Sequence, residues 1–301
     1  MSRIKKHLQL RADIIRSVRS FFQSNGYLEV ETPVRIPAPA PEAFIDAVAT
    51  GACFLQTSPE LCMKRLLASG YNRIFQLCRC FRCNERGSLH LPEFTMLEWY
   101  TANRNYLDMM DQSEDLIRYV ASRTGFNNRL EYDGKSIDLQ HPWDRMSVVD
   151  AFAEFSPLTM EEALKQDRFD EIMGLEIEPH IGLAKPLFLY DYPASAGALA
   201  RLKPGDCNFA ERFELYISGI ELCNAFSELT DPDEQRARFE QENRERRLAG
   251  KKEYPRPDKF LDALHSMPEA AGNALGIDRL VMLLANAATI DAVVAFTPEE
   301  L

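Results

Sequence analysis

The segment 81–100, FRCNERGSLHLPEFTMLEWY, constrains the fold more than any other part of the chain. It reads as a strand ending near Arg82, a polar loop, and a second strand of alternating character. Successive side chains of a strand point to opposite faces. Phe94, Met96, Glu98 and Tyr100 therefore share one face, and Glu93, Thr95, Leu97 and Trp99 share the other. At a rise of roughly 3.3 Å per residue, Phe94 and Tyr100 stand about 20 Å apart, the span of an amino acid joined to a nucleotide. Such a face fits a base against Phe94 and a cationic group at Glu98 and Tyr100. An amphipathic hairpin with half-buried polar groups satisfies the same pattern.

Two further segments gather charge in a similar way. In ERFELYISGIELCNAFSEL (211–229), Ser218-Gly219 fits a two-residue turn, which predicts pairing of 217 with 220, 216 with 221, 215 with 222 and 214 with 223. Glu214 and Glu221 then emerge on one face as diagonal neighbours. Two carboxylates on a half-buried face repel and lose hydration. Mg²⁺ shared with nucleotide phosphates would neutralise them; a solvent-facing acidic hairpin is the other reading. Asn224 and Glu228 flank Phe226, and with Glu60 and Glu98 they form a carboxylate-rich set suited to a cationic amine. In GNALGIDRLVMLLANA (272–287), Gly272 and Gly276 permit close backbone approach. Arg279 falls in the first turn of a helix, beside an N-terminus that favours anions. A guanidinium there can stack on a base and contact phosphate, although tight packing alone explains many G-x-x-x-G sequences.

The chain has 301 residues, 46% hydrophobic and 27% charged, enough for one large catalytic domain or two small ones. Its net charge of −11 argues against holding nucleic acid by bulk electrostatics. The stretch 1–25 runs the other way, with Arg3, Lys5, Lys6, Arg11, Arg16 and Arg19 against Asp13. It is either a docking patch for an acidic partner or the solvated face of a helix. No apolar run of about 20 residues is present, and the start is too polar for a signal peptide. Seven cysteines without scaffold spacing predict a reducing, cytoplasmic setting. Cys78, Cys80 and Cys83 read as core thiols rather than a zinc site, because no partner pair at zinc spacing follows. Periodicity predicts helices over 7–24, 58–70, 105–124, 231–249, 258–266 and 276–286. Strands are predicted over 27–34, 73–80 and 187–190, with a hairpin over 209–228. The stretch 125–185 reads as a mostly helical insertion with caps near Ser147, Thr159 and Asp167. Together these predict a single α+β domain over 1–301, an antiparallel sheet flanked by helices.

In order, these segments resemble the catalytic core of class II aminoacyl-tRNA synthetases, the lysyl-tRNA synthetases above all. The first helix with GYLEVETPV resembles motif 1, FRCNERGSLHLPEFTMLEWY resembles motif 2, and GNALGIDRLVML resembles motif 3. TSPELCMKRLL and ERFELYISGIELCNAFSEL are similar to lysyl-type segments. Lysyl-tRNA synthetases carry an anticodon-binding domain before motif 1, whereas here motif 1 begins within the first ten residues. The chain thus looks like the truncated paralogues of the elongation factor P–(R)-β-lysine ligase family. CNAFSELTDPDEQRARFEQENRERR is especially similar to that family, and so is Ala274, where lysyl-tRNA synthetases tend to have glycine.

The resemblance implies activation of (R)-β-lysine or lysine with ATP and Mg²⁺, and transfer to a lysine of elongation factor P. It also implies that no tRNA is bound and that a homodimer forms through motif 1. Arg82 and Arg279 would be the catalytic pair, Arg82 holding the α-phosphate and the amino-acid carboxylate. Phe94 and Arg279 would sandwich adenine, His90 would lie near the phosphates, and Asn84 would stand where the family reads adenine. Glu214 and Glu221 would carry Mg²⁺. Glu60, Glu98, Tyr100, Asn224 and Glu228 would bind the amino acid, with Ala274 tuning its preference. Three residues depart from the pattern: Asn84 replaces a glutamate, Leu91 an asparagine, and Ala225 a glycine whose replacement adds a methyl beside the lysine pocket. These bear on the amino acid more than on the reaction. The alternatives are a lysine-activating enzyme with a tRNA or small amine acceptor, and a non-catalytic paralogue acting as a regulatory subunit.

Overall fold

The first helix shows how the back of the molecule is built. In the computed structural model, which describes residues 3–197 and 199–301, it spans Arg3–Ser24. Ile14, Val18 and Phe22 recur along one stripe and are fully buried. Phe22 stacks on Phe75 at 4.7 Å and tilts against Trp99 at 5.4 Å. The helix ends at Asn25-Gly26 as its sequence predicts, with Gly26 at φ 74°, a left-handed conformation that glycine adopts without strain. The helix Tyr106–Arg123 packs beside it, its start fixed by reciprocal bonds between Asn105 and Asp108.

Both helices cover one face of a nine-stranded sheet. Its order is Leu28–Glu29, Arg73–Phe81, Glu93–Ala102, Ala270–Gly276, Ile220–Ser227, Asp206–Ile217, Leu187–Pro193 and Asp144–Ser147, with Leu202–Lys203 paired to Asp206–Ile217. The six central strands are antiparallel, as expected. The edges correct that expectation: Leu28 pairs with Ile74, and Leu187 with Asp144, in parallel. The sheet is therefore mixed. Alternation along Glu93–Ala102 sends Leu97 and Trp99 into the back core and leaves Phe94, Met96, Glu98 and Tyr100 for the front.

Arg11 locks the back face. Its Nη1 lies 2.6 Å from Asp278 Oδ1, its Nη2 donates to Thr95 Oγ1 at 2.7 Å, and the Thr95 amide donates to Asp278 Oδ2 at 2.6 Å. This joins the first helix, the Glu93–Ala102 strand and the helix Ile277–Leu284. The basic N-terminal stretch is thus partly structural, and Arg19 likewise pairs with Glu29 at 2.8 Å.

The front face is covered at both ends and open in the middle. At one end Leu61, Met63 and Leu67 join Phe239, Phe260 and Leu264 over Ile74 and Tyr100. At the other, Phe152, Phe169 and Ile172 pack onto Leu187, Leu189 and Tyr216. The stretch 125–185 is less helical than its sequence predicts. Arg129–Tyr132 and Lys135–Asp138 form a hairpin, and Asp144–Ser147 joins the main sheet. Strands of four residues are too short to show a period. Ser147 and Thr159 cap helices as expected, whereas Arg168, not Asp167, precedes the helix Phe169–Ile172. The strand expected over 27–34 shrinks to Leu28–Glu29, since Pro33 lacks the amide that ladder pairing uses. Cys80 is a core thiol, with Sγ 3.8 Å from that of Cys78, but Cys83 is exposed. Among the described residues no helix is long and apolar enough to cross a membrane.

Replacing Arg11 with alanine leaves the buried Asp278 carboxylate without its cation. Urea denaturation of Arg11→Ala should show a loss of about 3 kcal/mol; a loss below about 1 kcal/mol, the scale of an exposed pair, would contradict this role.

Candidate active site

Register arranges the open part of the front face in two rows. Glu98, Ala274, Asn224 and Glu214 are successive cross-strand partners. Two residues along, Tyr100, Gly272, Phe226 and Arg212 form the next row. The hairpin turn is as predicted, with Ser218 at φ 55° and Gly219 at φ 74°. Its register is not. Leu222 forms a bulge, so Leu215 pairs with Cys223 and Glu214 with Asn224. The shift brings Glu214 into the row of Asn224 and Glu98.

Over these rows lies a cavity of ≈ 310 Å³. Of the residues singled out from sequence, Glu60, Arg82, His90, Phe94, Glu98, Tyr100, Glu221, Asn224, Ala274 and Arg279 line it. Asn84, Glu214 and Glu228 do not. Ala225 points the other way, fully buried in the back core, so its methyl does not crowd the cavity as the sequence reading held.

One end of the cavity is cationic. The Arg82 guanidinium lies 5.2 Å over the Phe94 ring and 3.7 Å from Glu85. Asn84 is exposed at φ 64°, a left-handed turn that asparagine tolerates. The next residue, Glu85, lines the cavity instead, which corrects the placement expected of Asn84. Arg279, in the first turn of its helix, donates to the carbonyls of Leu89 at 3.3 Å and Glu221 at 2.7 Å. It also donates to Glu221 Oε2 at 3.0 Å and contacts His90 Nε2 at 2.7 Å. Burial and the adjoining Arg279 hold His90 below its ordinary value. Burial opposes the charge on Glu221, but Arg279 outweighs it and lowers that carboxyl.

Glu214 is already occupied. Its Oε1 accepts from Arg212 at 2.5 Å, and its Oε2 accepts from the hydroxyls of Tyr192 and Tyr216, both at 2.6 Å. Burial raises its carboxyl against the pull of Arg212. Arg212 also donates to Asn224 Oδ1 at 3.1 Å and lies 4.4 Å over the Tyr192 ring. Carboxylate oxygens on adjacent strands are the donors a hard divalent cation takes. Glu221 offers them from the cavity wall, and Glu214 would join once Arg212 releases an oxygen.

The other end is acidic. Glu98 accepts from Ser58 at 2.6 Å and from Tyr100 at 2.7 Å. Ser58 Oγ also accepts from the Glu60 amide at 3.0 Å, so one hydroxyl serves both residues. Lys64 Nζ lies 2.5 Å from both Glu60 Oε1 and Glu228 Oε2, and its side chain is 0% exposed. Glu228 sits beneath Gly272, and its Oε1 has no hydrogen-bond partner among the described residues. Burial and the neighbouring Glu60 push Glu98 up to about 7. Burial, opposed by Lys64, pushes Glu228 up to about 8.

Sequence reasoning missed Lys64, Arg212, Glu85 and Glu42. Lys64 stands four residues after Glu60, the spacing of a helical ion pair. Arg212 stands two before Glu214 on one strand face. Glu42 also lines the cavity, and burial pushes it up to about 7 against Arg82; its proline- and alanine-rich loop carries no periodic signal.

A family model described as tRNA synthetases class II (D, K and N) matches residues 1–300. The chain belongs to that family. It is 41% identical over 320 residues to the elongation factor P–(R)-β-lysine ligase of Pectobacterium carotovorum subsp. carotovorum (strain PC1), covering 97% of this chain and 95% of that relative. Proteins of the same name from Edwardsiella ictaluri (strain 93-146) and Salmonella arizonae (strain ATCC BAA-731 / CDC346-86 / RSK2980) are 39% and 40% identical over 311 residues, covering 97% of this chain and 94% of each relative. In this class II tRNA synthetase core, the three segments singled out by sequence meet at one cavity.

A Cβ added at Gly272 would lie 2.3 Å from Tyr100 Cε1 and 2.5 Å from Glu228 Oε1. Gly272→Ala must displace both, so the KM for the amino acid should rise at least about tenfold, a loss of about 1.4 kcal/mol, with the KM for ATP little changed. Equal rises in both would contradict an amino-acid role for this corner.

Proposed function

We propose that this protein uses ATP to activate (R)-β-lysine, or lysine, as the aminoacyl-adenylate and transfers it to a lysine side chain of elongation factor P. One observation carries the reading. A single cavity joins a cationic, aromatic end at Arg82, Phe94 and Arg279 to a carboxylate end at Glu60, Glu98 and Tyr100. The names of the relatives supply the amino acid and the acceptor.

The substrate carboxylate is ionised at pH 7, so its attack on the α-phosphorus needs no general base. It forms the carboxyl–phosphate bond and expels pyrophosphate. Arg82 neutralises the oxygens gathering charge at phosphorus, and Arg279 anchors the nucleotide end, so catalysis is positioning and charge stabilisation. Mg²⁺ at Glu221 and Glu214 would neutralise the phosphates. In the second step an acceptor amine attacks the anhydride carbonyl, the amide forms and AMP leaves. The amine must first lose its proton, which desolvation at the cavity mouth favours. A homodimer through motif 1 belongs to the same reading, supported by the exposed apolar side chains of Ile4, Leu28 and Val34. A cytoplasmic location follows from the proposed acceptor, a translation factor.

Intact-mass analysis of elongation factor P after incubation with the protein, ATP and (R)-β-lysine should show the gain of one lysyl group, dependent on both small molecules. Charging of tRNA with elongation factor P left unchanged would contradict the reading. Arg82→Ala should slow adenylate formation by about 10²–10³; near-normal rates would refute its assigned role.

A further inference from the structure

Three carboxylates and one ammonium meet at the acidic end among the described residues: Glu60 and Glu98 line the cavity, and Glu228 and Lys64 stand outside its lining. Among the described residues Glu98 is held by neutral donors only, the hydroxyls of Ser58 and Tyr100. Lys64 is withdrawn from water, touches Glu60 and Glu228 at once, and lies 5.0 Å from the centre of the Phe226 ring. It does not line the cavity, so an incoming ligand has no direct contact with which to displace it. We infer that Lys64 is a permanent internal cation that sets the unneutralised charge of this pocket at two, making it a positioning residue that selects an amino acid with two ammonium groups. The inference rests on the reading of this end as the amino-acid site.

The charge count accounts for the behaviour of the carboxyls. Other charged groups face the far side of the set: Glu42 stands near Glu60, and Arg82 lies beyond it beside Glu85. With one ammonium among three carboxylates, burial and mutual repulsion raise Glu98 and Glu228 to about 7 and about 8. A carboxyl raised in this way is protonated below that pH and charged above it. The empty pocket therefore retains protons near neutrality and releases them when a dication binds. Affinity for that dication should grow as pH rises through about 7 to about 8. Without Lys64, Glu228 loses the group that opposes its burial, and the empty pocket keeps that proton to higher pH, where the unaltered pocket has lost it.

Titration calorimetry of (R)-β-lysine into the full chain at a pH of about 9, above the values of both raised carboxyls, in buffers of different ionisation enthalpy, counts the protons released. Lys64→Met should release about one more proton per ligand than the unaltered chain, with affinity for (R)-β-lysine weakened about tenfold, the cost of one extra pKa unit, and ATP affinity unchanged. The double variant Lys64→Met/Glu228→Gln again has two unneutralised carboxylates, Glu60 and Glu98, and should return to the original proton count. It also removes the buried Glu228 carboxylate that Lys64→Met alone leaves without its cation, so it decides the matter if Lys64→Met does not fold. Binding with the original proton count and affinity in Lys64→Met, or an altered proton count in the double variant, would overturn the role of Lys64. Failure of the unaltered chain to bind either (R)-β-lysine or L-α-lysine would instead refute the reading of the pocket itself.

Discussion

The antiparallel register of Glu93–Ala102, Ala270–Gly276 and Ile220–Ser227 is the constraint from which the site follows. A slip of one residue exchanges the two faces of a strand. Here it would put Trp99 into the cavity and Glu98 into the apolar core. The back core opposes any slip, because Leu97, Trp99, Ala225 and Leu275 are all buried there. The Arg11–Asp278–Thr95 contact adds a polar lock at the same level. Glu98, Ala274, Asn224 and Glu214 reach the front in one row because their neighbours are claimed by the back.

Electrostatics then divides that front into two ends. Buried carboxylates are costly unless paired, and each acidic group here is handled differently. Arg212 and two tyrosines hold Glu214, Arg279 holds Glu221, and Lys64 is shared by Glu60 and Glu228. Glu98 has only hydroxyl donors. The end at Arg82 and Arg279 is therefore the more positive of the two, while the end at Glu98 is short of positive charge. ATP at the first end and an amino acid with ammonium groups at the other would fit that gradient in one arrangement.

Much of this was legible in the sequence where a feature repeats locally. The periodic helices, the Asn25-Gly26 stop, the two faces of the motif 2 strand and the Ser218-Gly219 turn all rest on spacing along the chain. What escaped depends on pairing across it. The Leu222 bulge moved Glu214 by one partner, and no local signal in that hairpin marks it. The four-residue strands in 125–185 are stabilised by neighbours rather than by their own pattern. The basic partners were overlooked because a lysine and an arginine beside glutamates read equally well as solvated pairs. Asn84 reads in the sequence as a substitution for a glutamate, whereas the fold leaves it exposed with a left-handed backbone and puts Glu85 on the cavity wall.

The central claim is that the two ends of the cavity bring an amino-acid carboxylate to the α-phosphate of ATP. ATP–pyrophosphate exchange, measured without any acceptor and with (R)-β-lysine, (S)-β-lysine and L-α-lysine in turn, tests it most directly. The account predicts exchange with lysine-type substrates, strongest with (R)-β-lysine. Absence of exchange with all three would contradict it.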